Sequence, residues 1–199
     1  ELGPVDIPLP LALSSFLLDH PDLAAELVRR RGIAPYRASP RGSTRAWIDD
    51  GEGTAGVLTL AERGDAGRLY LAEGAHRGAA FPEIRAEAVI RMALEERIGA
   101  DCRPRTRASF DVSVRMKSRV ASGVAKVLRP FLRRTVARKF AKAFLAAHKL
   151  GRLLSEEPAT IARDAEGPGP LDRAQHQRGT LLDRVVRVHE LRVRKAAHA

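Results

Sequence analysis

The segment TRASFDVSVRM, residues 106–116, alternates without a break. Ala108, Phe110, Val112, Val114 and Met116 fall on one side, and Arg107, Ser109, Asp111, Ser113 and Arg115 on the other. A period of two held over that length belongs to a strand with one buried and one wet face; a helix would repeat every 3.6 residues. The stretch 84–97 repeats the pattern with Ile84, Ala86, Ala88, Ile90, Met92 and Leu94, although its Ala, Glu and Arg also suit a helix. Shorter strands are predicted at 43–49 around Trp47, at 54–62 with Val57, Leu58 and Leu60, and at 67–74 with Leu69, Tyr70 and Leu71. Between them lie DDGEG at 49–53 and RGDAG at 63–67, both with hairpin chemistry. Successive hairpins make an antiparallel sheet with one face packed and one solvated.

The flanks bring in helices. Residues 1–10, ELGPVDIPLP, alternate Val5, Ile7 and Leu9 against Asp6, Pro8 and Pro10, which fits a short edge strand because edges tolerate proline. LALSSFLLDHPDLAAELVRRRG then reads as two short helices. Ser14 or Ser15 is the expected cap of the first. Asp19 is the expected cap of the second, which starts near Pro21 and ends at Gly32 after three arginines. After Lys117 the helical period returns in Val120, Val124, Val127, Leu128 and Phe131. A second stripe follows in Phe140, Ala143, Phe144, Ala147, Leu150 and Leu154, and Pro130 interrupts the first, so a bend or a fresh start is expected there. Residues 156–180, with EGPGPLD, read as a linker. Residues 181–199 read as a C-terminal basic helix or tail, with VRV and LRVR leaving a strand open.

Charge is concentrated. Residues 103–152 hold 15 Lys or Arg and one acid, Asp111, whereas the rest of the chain is net −3. A positive segment of this kind attracts phosphate, whether of nucleic acid or of anionic lipid; its bland alternative is a solvated helix face. Phe140 and Phe144 fall on one stripe of the helix, and none of the common nucleic-acid signatures occurs, which makes nucleic acid an improbable partner. Arg134, Arg138, Lys142, Lys149 and Arg152 lie opposite the apolar stripe and form the expected face for an anionic membrane.

Several chemistries lose ground on composition. A single cysteine, Cys102, excludes an internal disulfide framework and a cysteine-based zinc site; beside Arg103 and Arg105 it reads as an incidental loop thiol. The histidines are scattered with no metal-ligand spacing, and no phosphate loop, dinucleotide fingerprint or G-x-S-x-G elbow is present, so neither metal nor cofactor is expected. No apolar run is long enough to span a bilayer. A start at Glu1 fits a removed signal peptide or a boundary, which leaves a cytoplasmic or a periplasmic or secreted location open. Asp19–His20 would be an acid–base pair only if adjacent residues faced each other, which on a helix they do not. His76, at a strand end beside Glu73, is a candidate rim contact, with an exposed loop histidine as its alternative.

The predicted order is therefore a short strand, two helices, a run of antiparallel strands and one long helix: an α+β fold in which a curved antiparallel sheet wraps a long C-terminal helix. VDIPLPLALSSFLLDHPDLAAELV at the front, and FDVSVRM followed by VLRPFLRRTVARKFAKAFLAAHKLGRLL at the back, resemble the START-like helix-grip superfamily of polyketide cyclases and lipid-transfer domains over residues 3–155. Leu11 and Ala12 stand where an acidic residue often falls in that family. The resemblance implies a ligand-binding domain over 1–155 with a hydrophobic cavity between sheet and helix. The apolar strand positions Trp47, Leu58, Leu60, Leu71, Ile90, Met92, Phe110, Val112 and Val114 are then expected to line it, with Tyr70 and His76 at the rim and Phe131 from the roof. The expected partner is an apolar small molecule or lipid. A cyclase or aromatase using His76, Glu73 or Tyr70, and an interaction domain with a filled core, are the alternatives.

Overall fold

A computed structural model describes residues 2–78, 81–117 and 122–157, with backbone alone at 2, 81, 82 and 122–133. In chain order the elements are β1 (Leu2–Ile7), α1 (Leu11–Asp19), α2 (Pro21–Arg30), β2 (Arg37–Pro40), β3 (Arg45–Asp49), β4 (Thr54–Gly64), β5 (Gly67–Gly78), β6 (Phe81–Ile98), β7 (Pro104–Met116) and α3 (Ser122–Glu156). The strands form one open, curved antiparallel sheet in the order β1-β7-β6-β5-β4-β3-β2. Strands β2 to β7 are a meander, and the last of them, β7, pairs with β1 from the start of the chain. Both edges carry proline, Pro4 in β1 and Pro40 in β2, where a missing N–H costs least.

The ambiguous stretch 84–97 is strand. It is paired on both sides, to β5 through Tyr70 opposite Ile90 and to β7 through Met92 opposite Phe110. Two ladders of hydrogen bonds and a buried row outweigh the helix propensity of its Ala, Glu and Arg residues. The hairpins at 49–53 and 63–67 form as expected. The short edge strand β2 has no strong pattern of its own and was missed; its pairing with β3 defines it.

Helix termini depart from the sequence reading at two points. Ser14 and Ser15 lie inside α1, whose first turn is reached by Glu96 from β6, accepting a hydrogen bond from Leu11 N at 3.1 Å. Asp19 does not cap α2; His20 occupies that position and makes no side-chain capping bond, and Pro21 takes the first helical turn as expected. Asp19 instead pairs with Arg68 and Arg63. At the other end of α2, Gly32 adopts φ +63° and its N–H bonds Arg29 O, while Ile33 N bonds Val28 O. That is a Schellman closure, and the left-handed residue in it favours glycine.

Residues 122–156 form one helical element, Pro130 included. Its last three turns pack on the front of the chain. Ala146, Leu150 and Leu154 are buried with Ile7, Leu9 and Leu13, and His148 Nδ1 donates to Asp6 O at 3.2 Å. The expected linker 156–180 and tail 181–199 lie, apart from Glu156 and Glu157, outside the described residues.

Candidate functional site: the concave face of the sheet

Strand register sorts the side chains into two faces. Leu58 stands opposite Ala46 and Ala72, Tyr70 opposite Leu60 and Ile90, Ile90 opposite Val112, and Met92 opposite Phe110. Cross-strand partners share a face, so Leu58, Leu60, Tyr70, Ile90, Met92, Phe110, Val112 and Val114 lie on one side. It is the concave side, because Tyr70, Met92 and Phe110 belong to the core that α1, α2 and α3 cover. His76 joins them through its pairing with Thr54 and with buried Ile84.

Trp47 and Leu71 are on the opposite, convex face. Trp47 pairs with Val57 in a row that continues through Glu73, Glu87 and Arg115. Leu71 pairs with Thr59 and Val89 and is 46% exposed. The reason is the pleat: Tyr70 and Leu71 are neighbours and point to opposite faces, and Ala46, 4% exposed, holds the inward place beside Trp47. The side chain of Phe131 lies outside the described residues.

The concave face differs along its length. At one end it is closed. Phe144 of α3 meets Phe110 with ring centroids 4.5 Å apart, and Phe140 lies 6.0 Å from Phe144. Tyr70 OH donates to Leu18 O at 2.9 Å, and burial, then the nearby Asp19 carboxylate, push its phenol well above the ordinary range. Arg68, also buried, donates Nε–H to Asp19 Oδ1 at 2.7 Å and Nη2–H to Oδ2 at 3.2 Å. The fork of the guanidinium matches the carboxylate, which fastens α1 to β5. A recess of about 30 Å³ borders this cluster, between the α1–α2 corner and β3–β4, with Asp19, His20, Tyr70 and Thr44 among its walls. That volume suits about two waters.

At the other end the β3–β4 hairpin lies beside the last residues of β5, the first of β6 and the exit of β7. Here small side chains hold the middle of the concave rows: Gly56, Gly74 and Ala86 between Ile48 and Met116 in one row, Ala72 and Ala88 between Leu58 and Val114 in the next. Val114 is 47% exposed. The glycines also let the strands close, because a Cβ on Gly74 would come within 2.7 Å of Ala55 O. The polar pair of this end is Thr54 and His76, joined Oγ1 to Nδ1 at 2.9 Å.

The β3–β4 hairpin is tied down by α3. Asp50 Oδ1 accepts from Glu52 N at 2.8 Å and Thr54 N at 2.9 Å, while Oδ2 pairs with Lys139. Glu52 pairs with Lys142. Burial pushes the Asp50 carboxyl up, and the Lys139 ammonium with the two backbone donors more than offsets this, so the net shift is downward. The Lys142 partner lowers Glu52. Tyr36 nearby is raised by partial burial and then by Asp50 and Glu52. These acid–base contacts span about 90 positions of sequence, and no local signal marked them: DDGEG looks like a turn and Lys139 like one more cation in a basic run.

Of the basic face expected on α3, Arg134, Arg138, Lys142, Lys149 and Arg152 are all exposed. Lys142 is engaged by Glu52, and Arg152 by Glu156 at 3.1 Å. Cys102 is exposed in the β6–β7 turn with φ +58°. Among the described residues no group of three or more His, Cys, Asp or Glu side chains could hold a metal ion, and no helix is long and apolar enough to cross a membrane.

The class defined by this architecture is an α+β protein in which a seven-stranded antiparallel sheet packs against a long C-terminal helix, an arrangement compatible with the helix grip. No protein-family model matches the chain, and no curated protein and no solved structure matches it.

Proposed function

We propose that the concave face binds a hydrophobic small molecule or lipid and carries it without chemical change, in the manner of the START-like proteins that the order of elements resembles. The observation that supports this best is the grading of that face. It passes from a closed aromatic end at Phe110 and Phe144 to an end of glycine, alanine and half-exposed Val114. An apolar surface with a few placed polar groups suits an apolar ligand with one polar end. Binding is favoured over catalysis because the polar groups of the closed end are spent on structure: Tyr70 holds Leu18 O, and Arg68 holds Asp19.

Native mass spectrometry of the full chain after gentle purification, followed by lipid extraction, tests the reading. The expected result is a bound species of a few hundred daltons that leaves on denaturation. A bare chain mass that is unchanged after incubation with mixed lipids overturns it.

A further inference from the structure

The outer surface of α3 carries a second, separate feature. At about 100° per residue, Arg134, Arg138, Lys142, Lys149 and Arg152 fall within an arc of about 80° and extend about 27 Å along the helix. Leu145 sits inside that arc and is 55% exposed. Arg134, Arg138 and Lys149 have no ion-pair partner among the described residues. Both described phenylalanines of this helix, Phe140 and Phe144, are turned inward to each other and to Phe110. Among the described residues the stripe thus offers cations and one aliphatic side chain, with no exposed ring on which a base could stack. That combination fits a lipid surface, where cations meet headgroup phosphates and an aliphatic group enters the acyl boundary.

One cation in the stripe has a second task. Lys142 holds Glu52 of the β3–β4 hairpin in an exposed pair, the two side chains 50% and 39% accessible. The neighbouring Lys139–Asp50 pair is more sheltered, at 19% each. We propose that the Arg134–Arg152 stripe of α3 docks on an anionic bilayer, and that lipid phosphate then takes Lys142 from Glu52 and loosens the acidic hairpin at the small-residue end of the concave face. Once Lys142 is neutralised by lipid, Glu52 faces a surface of its own sign and is repelled from it. The Lys139–Asp50 pair keeps the hairpin attached to the helix. The docking rests on the charge layout alone; its meaning for ligand entry rests on the ligand reading proposed above.

The test uses the full chain with vesicles of phosphatidylcholine alone and of phosphatidylcholine mixed with phosphatidylglycerol, at low and high salt. The variant is the triple substitution Arg134→Gln, Arg138→Gln, Lys149→Gln, which leaves Lys142 and Lys139 in place. Expected is salt-sensitive binding to the anionic vesicles alone, weakened about 100-fold in the triple variant, as the loss of three surface charges implies. Equal binding to both vesicles, an unaffected triple variant, or capture of duplex DNA at a salt concentration where vesicles are released overturns the docking. Hydrogen exchange at the Gly51, Glu52 and Thr54 amides, which are held by the Asp49 and Asp50 carboxylates, reads the loosening. Faster exchange on anionic vesicles supports it, and unchanged exchange with intact binding overturns the loosening while docking stands. Neither outcome depends on whether a ligand is found by mass spectrometry.

Discussion

Asp19 shows how much one side chain can be asked to do. It ends α1, and its carboxylate accepts both forks of Arg68, whose side chain is 5% exposed, with Arg63 at 3.3 Å on the outer side. Arg68 also gives Nη1–H to Gly67 O at 2.7 Å. Removing the carboxylate would leave a buried guanidinium without its counter-charge. Asp19→Ala is therefore expected to cost about 3–5 kcal/mol. Replacing both residues, Asp19→Ala with Arg68→Met, is expected to recover much of that loss, because the stranded charge is gone. Denaturant unfolding of the single and double variants decides it; a double variant no more stable than Asp19→Ala would rule the account out. The same commitment occupies the Asp19 carboxylate with two guanidinium groups, while the ring of the adjacent His20 lies against Phe16 with ring centroids 4.6 Å apart.

At the scale of elements, the contact between α3 and the β3–β4 hairpin links helix to sheet across the concave face. Its carboxylates have lowered values, so its contribution is fully present above the ordinary Asp range and is lost as pH falls through the folded value. Because the folded value lies below the unfolded one near about 3.9, the loss falls on the acid side of pH ~4. Asp50→Asn is expected to unfold at lower temperature than the parent at neutral pH, and the difference should shrink toward pH 2. Thermal unfolding followed by circular dichroism over that range measures it. Other paired carboxylates, such as Asp6 with Arg107, titrate in both proteins and cancel in the comparison. A gap between the two proteins that is constant with pH would mean that Lys139 does not stabilise the charged form.

For the whole molecule the question is what fills the space between sheet and helix. In the proposed reading the end lined by Ala72, Ala88 and Val114 receives the ligand, and the end lined by Tyr70 and Phe110 stays closed. Ala88 lies on the concave face opposite Ala72 and Val114. Ala88→Trp is expected to fill that end and abolish binding of a fluorescent fatty-acid probe while the folded spectrum persists. Undiminished probe binding in a folded Ala88→Trp protein would place the ligand elsewhere. Leu71→Trp serves as the control, because Leu71 stands on the convex face and should leave the probe untouched.

The class and most of the elements are legible in the sequence, because period and turn chemistry are local. Alternation from Ala108 to Met116, the hairpin residues of 49–53 and 63–67, and the helical stripe ending in Leu154 each need only their own neighbours to be read. The faces were less legible. Tyr70 and Leu71 are both large and apolar, and only pairing with β4 and β6 decides which of them looks inward. Trp47 was misplaced for the same reason: hydrophobicity suggests burial, but register assigns the face, and a one-residue step reverses it. Long-range charge was not legible at all. Asp19 resembled a cap and Asp50 a turn residue, and their partners Arg68 and Lys139 stand 49 and 89 positions away. Which cation meets which carboxylate is a property of the packed sheet and helix, since only folding brings such distant groups within a few ångströms.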